Sequence, residues 1–346
     1  MCVSSEASRK IASPAHGWII LNKEVGISSA QAVARVRRIF GGVKTGHGGT
    51  LDPLACGVLP IALGEATKTI SYVMGAEKSY HFTLAWGSET QTDDAEGDVT
   101  RTSDNIPDID DINAVLPRFV GEIEQVPPDY SAVKIEGKRA YAMARLRDKD
   151  RRDKDRRDKD GPVQPAMPSL APRKIMIYAF SLLSCDSKTA SFHVHCGKGA
   201  YIRALARDLG RALGSAAHVT RLERMSVGRF SHQQSISLDF LTELADNAAA
   251  QTALLDVKTV LDDIPALALT DSQAQRLRHG QLVDWPHDVP EADIMVAYLD
   301  DTPIAFVSHD GHHITPKRVF NLQPLPVLIW CRLIIKGDGD VDYKRA

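Results

Sequence analysis

One carboxylate in this chain stands where it could act as a nucleophile. The stretch from Lys44 to Pro60 reads KTGHGGTLDPLACGVLP, with four glycines and two prolines, which argues against an ordinary helix or strand interior. Gly46, Gly48 and Gly49 let the backbone turn sharply or come close to a ligand. Asp52 precedes Pro53, which biases it away from the α region and leaves its carboxylate on stiff, non-helical backbone between Leu51 and Leu54. A carboxylate placed so can attack an electrophilic carbon. Asp and Pro also dominate plain turns, and residue types alone leave both readings open.

The motif carries a resemblance. GHGGTLDPLACGVLP is similar, without gaps, to the catalytic pattern of the TruB-type tRNA pseudouridine synthases, roughly GHxGTLDPxAxGVLP. The resemblance extends over about residues 17–146 and 173–321. It implies isomerisation of uridine 55 in the tRNA T loop, which breaks the N1 glycosidic bond, turns the base and rejoins it through C5. Such a reaction needs no redox cofactor, nucleotide or metal. It needs a nucleophile, an everted base and a proton acceptor for C5.

The resemblance assigns roles to residues of this chain. Asp52 would attack the ribose C1′ or the uracil C6. Arg203, in Ala200-Tyr201-Ile202-Arg203, would pair with Asp52 and keep it ionised and oriented. Tyr80 would stack on the flipped uracil and offer its hydroxyl as the C5 base. Tyr201 and Leu222 would line the pocket, His47 would take part in base flipping, and Lys23 would close the pocket floor. Arg35, Arg38, Lys44, Arg207 and Arg224 would hold phosphates.

Two rivals within RNA biology are a guide-RNA-dependent synthase and a non-catalytic RNA chaperone. A third belongs to another class. Lys44-Thr45-Gly46, Ser103-Asp104-Asn105 and Ser131-Ala132-Val133-Lys134 match the three short motifs of serine β-lactamases, but in reverse chain order.

Composition sets bounds. The chain has 346 residues, 43% of them apolar, enough for one large domain and a smaller one. No run of eighteen apolar residues occurs, and the first seventeen residues lack the apolar core of an export signal. The five cysteines have no CxxC spacing and read as reduced thiols in a cytoplasmic protein, with no zinc site. A net charge of -2 requires that any RNA-binding charge be gathered on one face. No membrane contact and no obligatory protein partner is expected.

The elements that must position these residues follow from periodicity. GWIILNK, from Gly17 to Lys23, reads as a strand. Ser28 or Ser29 can cap a helix on which Val33, Val36 and Phe40 share a face. Residues 58–75 read as an apolar segment and helix ending near Gly75. Lys78 to Gly87 alternates Tyr80, Phe82, Leu84 and Trp86, a half-buried strand. Thr90 to Asp98 reads as an acidic, turn-rich loop without a calcium-loop pattern. Residues 109–120 form a short helix, and residues 127–147 read as strand, turn and helix. A hairpin turns near Ser187-Lys188, and a helix then carries Ile202, Leu205, Ala206, Leu209 and Leu213 on one face. Arg203, Arg207 and Arg211 make a basic edge on it. A strand follows from Ala217.

The expected fold is α+β, a mixed and largely antiparallel sheet flanked by helices, with a small β-rich, PUA-like C-terminal module. The domain reading is a flexible leader over 1–15, a catalytic domain over 16–262, an RNA-binding module over 263–325 and a tail over 326–346. Within the catalytic domain, residues 147–172 form a low-complexity insertion with no assigned chemistry, built on repeated RDKDR.

Overall fold

The architecture is that of a computed structural model, which describes residues 15–131, 134–135, 138–139, 143–144, 170–284 and 292–322. The leader up to residue 14, the RDKDR insertion and the tail after residue 322 lie outside the described residues. The chain divides into two compact units, residues 1–262 and 263–346.

In the first unit the elements run β1 (Gly17–Lys23), α1 (Ser29–Ile39), β2 (Thr45–His47), β3 (Cys56–Leu63), α2 (Ile70–Gly75) and β4 (Lys78–Trp86). The small hairpin β5 (Ser88–Thr90) and β6 (Val99–Thr102) leads to α3 (Ile109–Val115) and β7 (Gly121–Gln125). Then come the short pair β8 (Lys134–Ile135) and β9 (Lys138–Arg139), β10 (Arg173–Cys185), β11 (Thr189–Cys196) and α4 (Ile202–Ala212). Next are β12 (Ala217–Val227), β13 (Phe230–Ser231) and α5 (Leu238–Asp246).

Nine strands form one sheet, with the order β1-β3-β12-β4-β11-β10-β7 along its main path. All its pairings are antiparallel except β12 with β3. Ile19, Leu21, Leu59, Ile61, Tyr80, Phe82, Leu84 and Trp86 point to one face of it. There they meet Ala32 and Val36 of α1 and Ile202, Leu205 and Leu209 of α4 in one buried cluster. The strand period of two and the helix period of 3.6 thus converge on a single core. Burial of this apolar face is what holds the two helices over the sheet.

Local signals explain the boundaries. Ser28 caps α1, accepting from Gln31 N, and the Gln31 side chain returns a bond to the Ser28 backbone. After α4 the chain reverses at Gly214, whose φ is 66°, the left-handed conformation that glycine favours at a helix stop.

One expectation needs correction. Residues 56–63 are strand β3, and the helical part of the 58–75 segment begins only after Leu63. A strand holding Gly57 and Pro60 runs against composition, and tertiary contact decides it. Gly57 has φ 98°, and a Cβ there would lie 2.3 Å from the Arg224 carbonyl oxygen of β12. Glycine is what allows β3 and β12 to approach this closely. Pro60 sits just past the β2 pairing and offers its carbonyl to Gly48 N at 2.8 Å.

The second unit is β-rich, as the fold class required. Strands β14 (Ala266–Ala268), β15 (Val283–Asp284), β16 (Met295–Leu299), β17 (Thr302–His309) and β18 (His313–Val319) form a sheet in the order β14-β16-β17-β18-β15. Helix α6 (Asp271–Arg278), capped by Thr270, adds Ala274 and Leu277 to its core.

Candidate active site

The glycine-rich segment between β2 and β3 is pinned from several sides. The Ser29 hydroxyl, buried at the first residue of α1, accepts from Leu51 N and donates to Leu51 O, both at 2.8 Å. His47 Nδ1 accepts from Gly49 N at 3.3 Å. Gly48 lies against Val73 of α2, where a Cβ would sit 2.4 Å from Val73 Cγ1. Beyond the motif, Gly26 N donates to Pro53 O and Ala55 N to Asp52 O. A buried hydroxyl and a close glycine contact leave this turn little freedom.

Asp52 meets Arg203 from α4. Arg203 Nε donates to Asp52 Oδ2 at 2.9 Å, and Nη2 lies 2.8 Å from the same oxygen. Arg203 is itself fixed, donating from Nη1 to Thr92 O at 2.6 Å and from Nη2 to Tyr130 O at 2.9 Å. Asp94 Oδ2 stands 3.6 Å from Nε. The guanidinium is 4% exposed, whereas the Asp52 side chain is 38% exposed. Both contacts fall on Oδ2, and Oδ1 carries no hydrogen bond to the described residues. One carboxylate oxygen is anchored and the other faces outward.

Tyr80 lies on β4, directly opposite Arg224 of β12, and is 8% exposed. Burial pushes its phenol above the usual tyrosine range, and the neighbouring Arg224 guanidinium opposes that push. Leu222 pairs with Phe82 two residues along and is buried in the same cluster as Tyr80. Tyr201 stands just before α4, where Gln125 brackets it by accepting from Tyr201 N at 2.8 Å and donating to Tyr201 O at 3.1 Å. Lys23 is buried beneath the segment, its Nζ donating to Glu24 O and Ile27 O at 2.8 Å and reaching Pro53 O at 3.5 Å. Burial lowers its ammonium to about 8.

The phosphate-binding expectations divide. Arg35, Arg38 and Lys44 are exposed on and after α1, with Arg35 3.5 Å from Glu24. Arg207 and Arg224 are not on the surface and must be reassigned. Arg207 pairs with Asp93 and Asp208 at 2.9 Å and donates to Val126 O. Arg224 is 1% exposed and bonds the carbonyls of Val58, Thr50 and Gly49. Burial of a guanidinium is tolerated only where such acceptors surround it. The arginines of α4 therefore face an internal row of acids, with Arg203 at Asp52 and Asp94, Arg207 at Asp93, and Arg211 at Glu89. Asp93 and Asp94 came from the acidic loop to which sequence reasoning gave no role. A count of acids matching the arginine spacing on α4 was the available signal. Among the described residues no group of three or more His, Cys, Asp or Glu is placed to hold a metal ion.

A carboxylate is thus anchored by a buried arginine and set over one sheet beside a buried tyrosine. The TruB family pseudouridylate synthase (N terminal domain) matches residues 37–158, and the tRNA pseudouridylate synthase B C-terminal domain matches residues 203–264. A protein of Rhodopseudomonas palustris described as tRNA pseudouridine synthase B is 46% identical, over 90% of this chain and 82% of its own length. One so described from a Caulobacter species is 42% identical, over 93% of this chain and 98% of its own. Among solved structures, a chain of the archaeal box H/ACA sRNP Nop10–Cbf5 complex has the same fold, with TM-score 0.63 and 23% identity over 88% of this chain and 86% of that one. The chain belongs to the TruB family of pseudouridylate synthases.

Proposed function

We propose that this protein isomerises uridine to pseudouridine at position 55 of the tRNA T loop. The observation that carries the reading is the Asp52–Arg203 pair, in which the carboxylate is held by one oxygen at 2.8–2.9 Å while the other stays open. The ionic pair holds Asp52 in place and aimed, as a nucleophile must be. Attack by Oδ1 on C1′ displaces N1, or attack on C6 is followed by cleavage of the N1–C1′ bond, and either frees the base to turn. C5 then joins C1′, the bond to Asp52 breaks, N1 takes a proton, and the C5 proton leaves to Tyr80. Stacking on Tyr80 offsets the unstacking of the flipped base, at roughly 1–3 kcal/mol per base. His47, Tyr201 and Leu222 would shape the pocket, and Lys23 would support it from below. Exposed Arg35, Arg38 and Lys44 would take backbone phosphates, and the C-terminal β module would add RNA contacts. Among the described residues no helix is long and apolar enough to cross a membrane. The unpaired Cys56, Cys185 and Cys196 suit a reducing cytoplasm.

The test is tritium release from C5-labelled uridine in a T stem-loop, with no other RNA added. The protein should release label, and Asp52→Asn should release none. An active Asp52→Asn protein refutes the nucleophile, and activity only on addition of a guide RNA refutes the stand-alone reading.

A further inference from the structure

The backbone that carries the Asp52–Arg203 pair is tied down at two places, and neither lies in a sheet ladder. Leu51 falls between β2 and β3, and Tyr201 falls between β11 and α4. Each is held by one buried side chain that serves both its N–H and its C=O. The Ser29 hydroxyl accepts from Leu51 N and donates to Leu51 O, both at 2.8 Å. The Gln125 amide accepts from Tyr201 N at 2.8 Å and donates to Tyr201 O at 3.1 Å. Tyr201 O also accepts from Leu205 N at 3.0 Å, in the first turn of α4. Buried backbone groups need partners, and here a side chain supplies what a neighbouring strand would otherwise supply.

Both clamped residues stand next to the chemistry. Leu51 directly precedes Asp52, and Tyr201 is two residues before Arg203, which lies in the first turn of α4. Ser29 comes from α1 and Gln125 from β7, so the two halves of the pair are fastened to different elements. Neither clamp hydrogen-bonds Asp52 or Arg203 itself. We infer that Ser29 and Gln125 are positioning residues for the Asp52–Arg203 pair: they fix the backbone from which carboxylate and guanidinium reach each other. The inference rests on the proposed reaction, in which Asp52 attacks the uridine. A hydroxyl and a carboxamide suit the task because each combines a donor and an acceptor in one group. An apolar side chain in either place would leave Leu51 or Tyr201 with unpaired backbone groups, which must move to find partners.

The test uses Ser29→Ala, and Gln125→Met, which removes the amide at similar size. Each should lower the single-turnover rate of tritium release from a C5-labelled T stem-loop by roughly 10- to 10²-fold, as a small misplacement of a reacting group does. The dissociation constant of the stem-loop should keep its parental value, because phosphate contacts dominate such affinities. Ser29→Thr, which retains the hydroxyl, should recover most of the rate. In the double variant the two losses should not multiply, because moving the second partner of a pair already displaced costs less. Circular dichroism at the assay temperature confirms that each variant is folded. Gln125→Glu, of the same shape, keeps the acceptor and loses the donor to Tyr201 O, and it serves if a harsher variant fails to fold; its rate should fall between parent and Gln125→Met. A parental rate in the folded single variants would overturn the inference. So would losses that multiply, which mean two unrelated loosenings of the fold, and so would weaker RNA binding at a parental rate. The underlying reading fails separately, if the parent releases no label or if Asp52→Asn stays active.

Discussion

Gly48→Ala is a test of how tightly Asp52 is held. The added Cβ would sit 2.4 Å from Val73 Cγ1, 3.1 Å from Val73 Cβ and 3.5 Å from Pro60 Cβ. Ordinary contact begins near 3.4 Å, so the gap must open by about 1 Å. The φ of Gly48 is not among the positive ones, so the cost is steric and not conformational. Val73 is 4% exposed on α2 and cannot swing into solvent. Overpacking of this kind costs about 1–3 kcal/mol. The movement passes to the turn, and Asp52 is four residues on. A shift of about 1 Å in a reacting group lowers turnover by roughly 10²-fold. Val73→Ala alone removes two buried methyl groups and costs about 2 kcal/mol. The double variant Gly48→Ala/Val73→Ala gives the new methyl its room. It should be more stable than the sum of the single effects by at least about 1 kcal/mol, and should regain most of kcat. Urea unfolding and tritium release from C5 supply the two readouts. Strict additivity in both would refute the idea that α2 buttresses the catalytic turn through Val73.

Three further outcomes follow from the same geometry. Gly57→Ala puts a Cβ 2.3 Å from backbone oxygen at φ 98°, where no side chain can yield, so it should cost about 3 kcal/mol or more in urea unfolding. Arg207→Met leaves Asp93 buried without its partner and should destabilise by about 3–5 kcal/mol, again read by urea unfolding. Lys23 gives a pH signature. Its ammonium falls from the ordinary 10.5 to about 8 on folding, through burial. Between those values the unfolded chain binds the proton and the folded one does not, so stability from this group rises with pH from about 8 to 10.5. Lys23→Met should remove that rise from the urea midpoints. An identical pH slope in parent and variant would show that the lysine is not buried as described.

The site was legible wherever local pattern and function coincide, and illegible wherever a partner lies far along the chain. Asp52, Tyr80 and Arg203 each sit in a recognisable stretch, and the structure draws Asp52 and Arg203 together across 151 residues of chain. The alternation in β4 and the stripe on α4 gave the core face correctly, since burial of one face is what those periods encode. The strand at residues 56–63 was missed because Gly57 and Pro60 look like breakers until β12 is seen against them. The same gap explains the arginines. Periodicity put Arg203, Arg207 and Arg211 on one edge of α4, and an edge of three like charges suggests an outward, phosphate-seeking surface. Their counter-charges are Asp94, Asp93 and Glu89, presented by β5 and the loop after it, more than a hundred residues away in the chain. The acidic loop and the basic helix are therefore one feature divided in sequence, and each looked idle or misdirected alone. This has a consequence for the chemistry. Arg203 shares its charge between Asp52 and a second, buried carboxylate, with Asp94 only 5% exposed. An arginine so divided binds Asp52 less exclusively than an isolated pair would. The acid loop thus anchors the guanidinium from behind while Asp52 remains the most exposed of the four carboxylates that meet the arginines of α4 across the fold.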